Sequence, residues 1–361
     1  MSKKIIFTTG GTGGHIFPAL HLMEHFFSKG YEVLIVTDYR GSKFLKSNLK
    51  FRYKILKTGT PTNKNILYKF ISFFIIVYSI INSMIILNKE KPDLVFGFGG
   101  YVSFPISLSS KLLKIPLVIY ENNIILGKAN KILAYFSKKI FTANNINKNL
   151  PSKFIDKIYE VGPILSKKII NKEKFEKAYN LNNFSIIVLG GSQGAEIFGQ
   201  VVPEVIKMAK DQGHLIEIRQ QCISSQKKSI IEFYKKNNIK NYVFDFEENV
   251  LDLILSSSIA ITRSGASSTA ELVHTLTPFV AIPLPNSIDN HQYLNAKYYK
   301  DKGCCWIIEE RDFNISNLFN FVIETIKDKN KLENIHRNMK SLCKKNVYID
   351  IEREIKEFVK L

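Results

Sequence analysis

Two glycine-rich turns, each placed directly after a short apolar run, are the features of this sequence best suited to chemistry. The first lies in IIFTTGGTGGH (Ile5 to His15) and the second in SIIVLGGSQGA (Ser185 to Ala195). A strand, a glycine turn and a helix in this order direct unpaired backbone N–H groups and a helix dipole at a phosphate. Because each half of the chain has one such turn, we expect two similar halves facing across a cleft, with a phosphate-bearing donor in one and an acceptor in the other.

Further polar residues follow other predicted strands of the first half. His15 opens the first helix and is suited to act as a general base or to bond a substrate oxygen. Tyr101 lies in the glycine-rich run GFGGYVSFP, and Glu121 lies with Asn123 in YENNIILGKAN. Ligands of open α/β sheets bind at the carboxyl ends of the strands. Helix capping and tight turns are the alternative explanations for these residues.

The stretch TRSGASSTAEL, Thr262 to Leu272, is the most informative part of the second half. Its small and hydroxylic residues stand at a predicted helix start, where phosphate binds, and the Glu271 carboxylate can accept both hydroxyls of a ribose. This pattern predicts nucleotide recognition. Capping explains the hydroxyl groups but not Arg263 before the turn. Gln292 stands among polar side chains, in PLPNSIDNHQYLNA, that suit the hydroxyls of a sugar.

The composition limits the class of protein. A chain of 361 residues exceeds what one core usually supports, so we expect two domains. The net charge of +19 predicts an anionic partner, but the basic residues form no arm or RNA-reading motif, which argues against nucleic acid. The four cysteines have neither zinc nor CxxC spacing. The first residues enter a strand without a signal peptide, which predicts a cytoplasmic location.

Short apolar runs alternate with helical stretches, which predicts an α/β fold with parallel sheets. We place a first domain over 1–163, a second over 164–345, and a terminal helix over 346–361 that packs back on the first domain. The predicted strands are Lys4 to Thr9, Glu32 to Val36, Leu94 to Phe98, Pro116 to Tyr120, Ile140 to Thr142, Ile158 to Val161, Ser185 to Leu189, Leu215 to Arg219, Tyr242 to Phe246, Ile259 to Thr262, Phe279 to Ile282 and Cys304 to Ile307.

The segment from Ile66 to Leu87 is long and apolar enough to cross a membrane. Its polar residues Lys69, Ser72, Ser79 and Ser83 form one narrow stripe on a helix, which leaves a second apolar face after one face has packed on the sheet. We expect a core helix with a membrane-contacting face. A fully buried helix and a true span are the alternatives. The basic residues that could form a rim toward an anionic membrane surface are Lys57, Lys64, Lys69, Lys111 and Lys114.

Six stretches together resemble, in order and spacing, the MurG family of undecaprenyldiphospho-muramoylpentapeptide β-N-acetylglucosaminyltransferases. They are GGTGGHIFPAL, GFGGYVSFP, ENNxxxGKAN, GGSQGA, TRSGASSTAEL and DNHQYLNA, and the likeness extends from Lys3 to about Ala296. The resemblance implies the GT-B fold, with two Rossmann-like domains. It also implies transfer of N-acetylglucosamine from UDP-N-acetylglucosamine to lipid I, which yields lipid II of peptidoglycan at the cytoplasmic face of the inner membrane.

The resemblance also implies roles for individual residues. Glu271 would bind the ribose, the backbone near Phe246 and Glu247 the uracil, and Gln292 the sugar. The full set of implied donor-binding residues is Thr12, Gly13, Gly14, Asn123, Ser192, Glu247, Ala266, Ser267, Ser268, Thr269, Ala270, Glu271 and Gln292. His15 is the first candidate for the base and Glu121 the second, and Tyr101 is assigned to the acceptor. No cofactor or metal is expected, since backbone N–H groups can offset the leaving charge.

The sequence departs from the family in three places. The run Gly162-Pro163-Ile164-Leu165 lacks the usual arginine, for which Lys167 or Lys168 could substitute; Asn122 replaces a glutamine; and Glu196 replaces an arginine. The first alternative function is another GT-B glycolipid glycosyltransferase, such as one acting on diacylglycerol. The second is a non-catalytic, membrane-associated sugar-nucleotide binding protein. A nicotinamide oxidoreductase is disfavoured, because the acidic residue expected beyond its fingerprint is missing.

Overall fold

The structure is a computed structural model that describes residues 3–11, 13–45, 51–59, 66–146, 151–170, 184–191, 194–343 and 346–359. Its contacts divide the chain into a first unit, Met1–Lys167 with Lys345–Leu361, and a second unit, Lys168–Lys344. The first unit extends past residue 163 because Ile164 and Leu165 are buried in it. The N–H group of Ile164 donates to the Tyr120 hydroxyl at 3.1 Å.

Each unit contains one parallel sheet. The strands are β1 (Lys4–Thr8), β2 (Glu32–Thr37), β3 (Arg52–Ile55), β4 (Leu94–Gly97), β5 (Leu117–Glu121), β6 (Lys139–Thr142), β7 (Ile158–Glu160), β8 (Phe184–Leu189), β9 (Ile216–Gln221), β10 (Asn241–Phe244), β11 (Ile259–Thr262), β12 (Phe279–Ala281) and β13 (Cys305–Ile307). In the described residues the order is β3-β2-β1-β4-β5-β6-β7 in the first unit and β10-β9-β8-β11-β12-β13 in the second.

The predicted strands correspond to twelve of these thirteen, and β3 was missed. Parallel strands covered on both faces read as continuous apolar runs, and β1 and β8 follow this rule, with interior residues that are fully buried. β3 has the sequence RYKI and lies at the edge of its sheet, with three of its four side chains exposed. Because β3 lacks an apolar run, the sequence pattern did not predict it.

The helices cover the faces of the two sheets. They are α1 (Gly13–Ser28), α2 (Tyr39–Ser42), α3 (Ile66–Glu90), α4 (Ser103–Leu112), α5 (Lys128–Leu133), α6 (Lys167–Ile170), α7 (Glu196–Asp211), α8 (Ser224–Lys236), α9 (Val250–Leu255), α10 (Ala266–His274), α11 (His291–Asp301), α12 (Ile315–Lys327), α13 (Lys329–Leu342) and α14 (Val347–Ile355). Short 3-10 turns lie at Ser152–Lys157, Ile288–Asn290 and Glu310–Asp312.

The long helix α3 buries Ser79 and Ser83 of its polar stripe and exposes much of its apolar face. The hydroxyl groups of Ser79 and Ser83 are fully buried, and that of Ser79 donates to the carbonyl oxygens of Lys57 and Ile75. On the neighbouring helix α4, the Ser109 hydroxyl donates to the Ile80 carbonyl at 3.1 Å. The large apolar side chains of α3 that are exposed are Ile71, Phe73, Phe74, Ile75, Val77, Tyr78, Ile81 and Ile85.

By length and composition, residues 71–90 of α3 could cross a membrane, and no other helix of the described chain could; 22% of that window is buried. The topology argues against a span. β3 precedes α3 and β4 follows it, yet β3 pairs with β2, β2 with β1, and β1 with β4 in one sheet. A spanning α3 would place β3 and β4 on opposite sides of the bilayer.

The terminal helix α14 belongs to the first unit. Its Glu354 carboxylate bonds the Lys139 ammonium at 2.8 Å, and Glu352 lies 3.3 Å from the ring Nε2 of His25. The Tyr348 hydroxyl donates to the carbonyl oxygen of Leu165. These contacts attach the end of the chain to α1 and β6.

Candidate active site

The glycine turns of the first unit bring His15, Gly99 and Glu121 to one edge of the sheet. His15 and Gly99 follow β1 and β4, and Glu121 is the last residue of β5; these three strands are neighbours in the sheet. Gly99 has φ of +84°, and a Cβ atom there would lie 3.3 Å from the His15 ring and 3.5 Å from Nδ2 of Asn130. Positive φ is accessible to glycine at little cost. Gly99 therefore lets the imidazole and Asn130 approach the same stretch of backbone.

His15 stands in the first turn of α1, where its side chain is half-buried. Gly13 is buried and Gly14 is half-buried, so both contribute mainly backbone to this turn. Thr12 lies outside the described residues. A half-buried imidazole beside a glycine turn is accessible to a substrate and held in place by its surroundings. This geometry is compatible with His15 as a general base.

The Glu121 carboxylate is 1% exposed and accepts four hydrogen bonds. Its Oε1 accepts from the backbone N–H and the side-chain amide of Asn123, at 3.0 and 2.9 Å. Its Oε2 accepts from the N–H of Gly127 at 2.9 Å and from Nδ2 of Asn130 at 3.0 Å. A carboxylate with both oxygens occupied in this way is poorly placed to accept a proton from a substrate. The geometry favours a role in which Glu121 holds the loop from Asn122 to Asn130.

Asn130 belongs to the site although the sequence assigned it no role. It is 1% exposed, and its Nδ2 donates to both the Tyr120 carbonyl and the Glu121 carboxylate. Its place as the last residue of the stretch ENNxxxGKAN was the feature of the sequence that could have identified it as a site residue. Tyr101 is half-exposed in the turn before α4, and its assignment to the acceptor stays a prediction.

In the second unit, the start of α10 is a helix N-terminus with no side-chain cap. Gly265 is the N-cap residue and supplies no side-chain hydrogen bond. The first N–H groups of a helix lack intrahelical partners and attract anions. Ala266, Ser267 and Ser268 are half-buried at this end, whereas Thr269 and Ala270 are buried and the Thr269 hydroxyl donates back to the Gly265 carbonyl. Thr269 and Ala270 could therefore contribute backbone only.

Glu271 lies one turn into α10 and is half-buried as a residue. Burial raises the pKa of its carboxyl group from 4.5 to about 7. Within the described part of the chain, no side chain forms a hydrogen bond or ion pair with this carboxyl group. A desolvated carboxylate without a partner is unusual in a folded protein. Its position beside the start of α10 is the one for which the sequence predicts a contact with a ribose, and that assignment stays a prediction.

The loop after β10 carries Phe246 and Glu247. Phe246 is 69% exposed, and its N–H bonds the Asp245 carboxylate at 3.1 Å. The Glu247 carboxylate accepts from the Tyr242 hydroxyl at 2.6 Å and from the N–H of Asn249 at 2.8 Å, and these bonds lower the pKa of Glu247. Since the carboxylate is occupied, any contact of Glu247 with a base would use its backbone.

Two further turns complete this edge of the second sheet. Oε1 of Gln292 accepts from the N–H of Leu284 at 3.1 Å, which leaves the amide NH2 group as its part suited to a sugar hydroxyl. The turn after β8 has positive φ at Gly191 and Gly194, and a Cβ on Gly190 would lie 2.6 Å from the Ala195 nitrogen. Ser192 lies outside the described residues.

No group of three or more His, Cys, Asp or Glu side chains suited to a metal ion occurs among the residues that the structure describes. The position where the family has an arginine is occupied by the buried Leu165. Lys167, a possible substitute, donates to the Ser28 hydroxyl at 3.2 Å within the first unit.

Comparison with known proteins agrees with this organisation. The family model for the glycosyltransferase family 28 N-terminal domain matches residues 5–142, and that for the C-terminal domain matches residues 185–350. A crystal structure of Acinetobacter baumannii MurG superposes with a TM-score of 0.78 at 23% identity, covering 98% of this chain and 99% of that one. The glycosyltransferase of kitacinnamycin gives a TM-score of 0.71 at 12% identity, covering 99% and 100%. The protein is therefore a glycosyltransferase with the GT-B fold.

Curated relatives narrow the assignment. The UDP-N-acetylglucosamine--N-acetylmuramyl-(pentapeptide) pyrophosphoryl-undecaprenol N-acetylglucosamine transferase of Pelagibacter ubique is 35% identical over 356 residues, which covers 98% of both chains. The relative of the same name from Rickettsia bellii is 34% identical over 341 residues, covering 93% of this chain and 94% of that one. The chain belongs to this family, the MurG family, and the predicted resemblance and fold class are confirmed.

Proposed function

We propose that the protein transfers N-acetylglucosamine from UDP-N-acetylglucosamine to the O4 hydroxyl of the muramoyl sugar of lipid I, with inversion, to give lipid II. The relatives named for this reaction match the chain over nearly its full length. The observation that carries the proposal is the Glu271 carboxyl group beside the start of α10: burial raises its pKa, and among the described residues no side chain pairs with it. Such a site is suited to the ribose and diphosphate of a nucleotide.

The donor would bind along the carboxyl edge of the second sheet. In this proposal the N–H groups of Ala266 to Ser268 hold the diphosphate, together with the turn around Ser192, and Glu271 accepts from the ribose hydroxyls. The backbone around Phe246 and Glu247 reads the uracil, and the amide of Gln292 bonds the sugar. The buried side chains of Thr269 and Ala270 support the helix start and make no direct contact.

The reaction needs a base for the acceptor hydroxyl and stabilisation of the departing diphosphate. We assign the base to His15, whose ring is half-buried beside Gly99. The charge that develops on UDP would be stabilised by the N–H groups and dipole of α10. Glu121, with Asn123 and Asn130 bonded to its carboxylate, would shape the loop next to His15. Gly13, Gly14, Thr12 and Tyr101 complete the proposed set in the first unit.

The membrane-bound acceptor accounts for the exposed face of α3. We propose that this face rests in the cytoplasmic leaflet of the inner membrane, so that the protein is peripheral. The basic residues Lys57, Lys111 and Lys114 are exposed, the last two at the end of α4, which packs on α3. Each lysine near an anionic surface contributes about 1 kcal/mol to binding.

The test is a transfer assay on the full chain in detergent with UDP-N-acetylglucosamine, offering lipid I and diacylglycerol in separate reactions. The expected result is a product from lipid I with the mass of lipid II, and a loss of about a hundredfold or more in His15→Ala. A product from diacylglycerol alone would assign the protein to another glycolipid reaction. Binding of UDP without turnover of either acceptor would identify a sugar-nucleotide binding protein.

A further inference from the structure

The guanidinium group of Arg263 joins the carboxyl ends of three adjacent strands in the second unit. Arg263 follows β11, and its Nη1 donates to the carbonyl oxygen of Ile282, directly after β12, at 3.1 Å. Its Nη2 forms an ion pair with the Glu310 carboxylate, in the 3-10 turn after β13. The guanidinium carbon lies 5.0 Å from the centre of the Phe198 ring of α7. One side chain thus connects β11, β12, β13 and α7.

These contacts fix the short turn that leads from β11 into α10. The turn consists of Arg263, Ser264 and Gly265, and Gly265 has no side chain with which to hold the helix start. Three other described side chains bond the backbone of this turn. The Thr262 hydroxyl donates to the Arg263 carbonyl at 2.8 Å, the Asn295 amide to the Ser264 carbonyl at 3.3 Å, and the Thr269 hydroxyl to the Gly265 carbonyl at 3.1 Å. The direction of the first N–H groups of α10 therefore depends on neighbours of the turn.

The ion pair also determines what Arg263 can do electrostatically. Its side chain is 10% exposed and that of Glu310 is 26% exposed. A buried guanidinium requires a counter-charge, and removal of one partner of such a pair leaves an uncompensated charge. The Glu310 carboxylate compensates the charge of Arg263, and both terminal nitrogens of the guanidinium contact protein groups. It is thereby suited to hold backbone in place, and poorly suited to pair with a ligand phosphate.

We infer that Glu310 is a positioning residue for the sugar-nucleotide donor: through Arg263 it sets the turn that aims the N–H groups of α10 at the diphosphate. The inference rests on the proposed function, because it requires the donor to bind at α10. It assigns a role to a residue outside every motif that the sequence singled out. Displacement of binding groups by a change outside the site lowers activity by up to about a hundredfold.

The experiment measures the KM for UDP-N-acetylglucosamine and the KM for a lipid I analogue in the full chain carrying Glu310→Ala. The matched control is Glu309→Ala, because the neighbouring Glu309 pairs with Arg311 at 3.2 Å on the surface, where the side chains are 43% and 76% exposed. We expect the donor KM to rise about tenfold or more in Glu310→Ala. The acceptor KM should be unchanged, and the control should match the wild type. Arg263→Lys, which keeps the charge but loses the fork of donors, should raise the donor KM as well.

An unchanged donor KM in folded Glu310→Ala would overturn the inference. A lowered donor KM would also overturn it, since it would mean that Glu310 competes with the phosphates for Arg263. If Glu310→Ala fails to fold, Glu310→Gln replaces it: a raised donor KM in the folded amide variant supports the inference, and an unchanged one refutes it. Failure of the wild type to transfer sugar to lipid I would count against the proposed function instead, and is read from the same assay.

Discussion

Replacement of Glu271 by glutamine should stabilise the ligand-free protein and at the same time weaken UDP binding. Burial raises the pKa of the Glu271 carboxyl group from 4.5 to about 7. Between these two values the folded protein holds a proton that the unfolded chain has released. The free energy of unfolding therefore falls as the pH rises from 4.5 to about 7, and stays at the lower level above that. Glutamine carries no charge at any pH and avoids this loss.

The size of the effect follows from the pKa difference. At about 1.4 kcal/mol per pKa unit, the gain in Glu271→Gln reaches about 3 kcal/mol at pH 8 and is close to zero at pH 4. This is an upper value, because Glu271 as a whole residue is only half-buried. In a unit of this size, about 1 kcal/mol moves the unfolding midpoint by about 2 to 4 °C, so the shift at pH 8 is at most about 12 °C.

The assay is thermal unfolding of the full chain without ligand, at pH values from 4 to 8, followed by titration with UDP at pH 8. Glu271→Gln should unfold at a higher temperature than the wild type at pH 8 and at a similar temperature at pH 4, and it should bind UDP more weakly. Glu324→Gln, which changes an exposed glutamate on α12, is the control and should differ little at either pH. Equal midpoints at pH 8, or UDP affinity equal to that of the wild type, would refute the reasoning.

Three further predictions concern the first unit. Glu121→Gln places an amide among four hydrogen-bond donors and should lower turnover by about tenfold or more, while the fall in turnover at low pH is retained. The control is Glu90→Gln, at another buried carboxylate, which is paired with Lys4 at 3.3 Å; it should lower the unfolding temperature without this loss of turnover. Gly99→Ala should reduce turnover by about tenfold or more, with UDP affinity unchanged, because the new Cβ requires positive φ and crowds the His15 ring. Phe74→Glu should weaken sedimentation with anionic vesicles, because Phe74 is 67% exposed on α3.

Each of these predictions has an outcome that contradicts it. If the fall in turnover at low pH disappears in Glu121→Gln, Glu121 would be the general base. Turnover of Gly99→Ala equal to that of the wild type would mean that the glycine is not needed for the position of His15. For the vesicle experiment the control is Leu215→Glu, an equally exposed apolar position in the second unit, and equal binding by both variants would remove the membrane role of α3.

The parallel strands and the glycine turns could be predicted from the sequence because each depends on a short stretch of neighbouring residues. Strands such as β1 and β8 are continuous apolar runs, and the turns after them need glycine at positive φ, as at Gly11 and Gly191. β3 was missed because an edge strand has half its surface in water and needs no apolar run. The segment around α3 was recognised as a helix with an exposed apolar face from its periodicity, although only the packing reveals that the serines face inward.

The sequence by itself determined which polar residues stand after strands. It therefore determined most of the residues proposed to bind the sugar nucleotide and the lipid acceptor. The tertiary structure alone decided what those residues do with one another. It gave the Glu121 carboxylate four donors, left that of Glu271 without a partner among the described residues, and joined Arg263 to Glu310. The physical reason is that hydrogen-bonding partners and desolvation depend on which strands are neighbours in the sheet, and strand order is a property of the folded chain that no local pattern records.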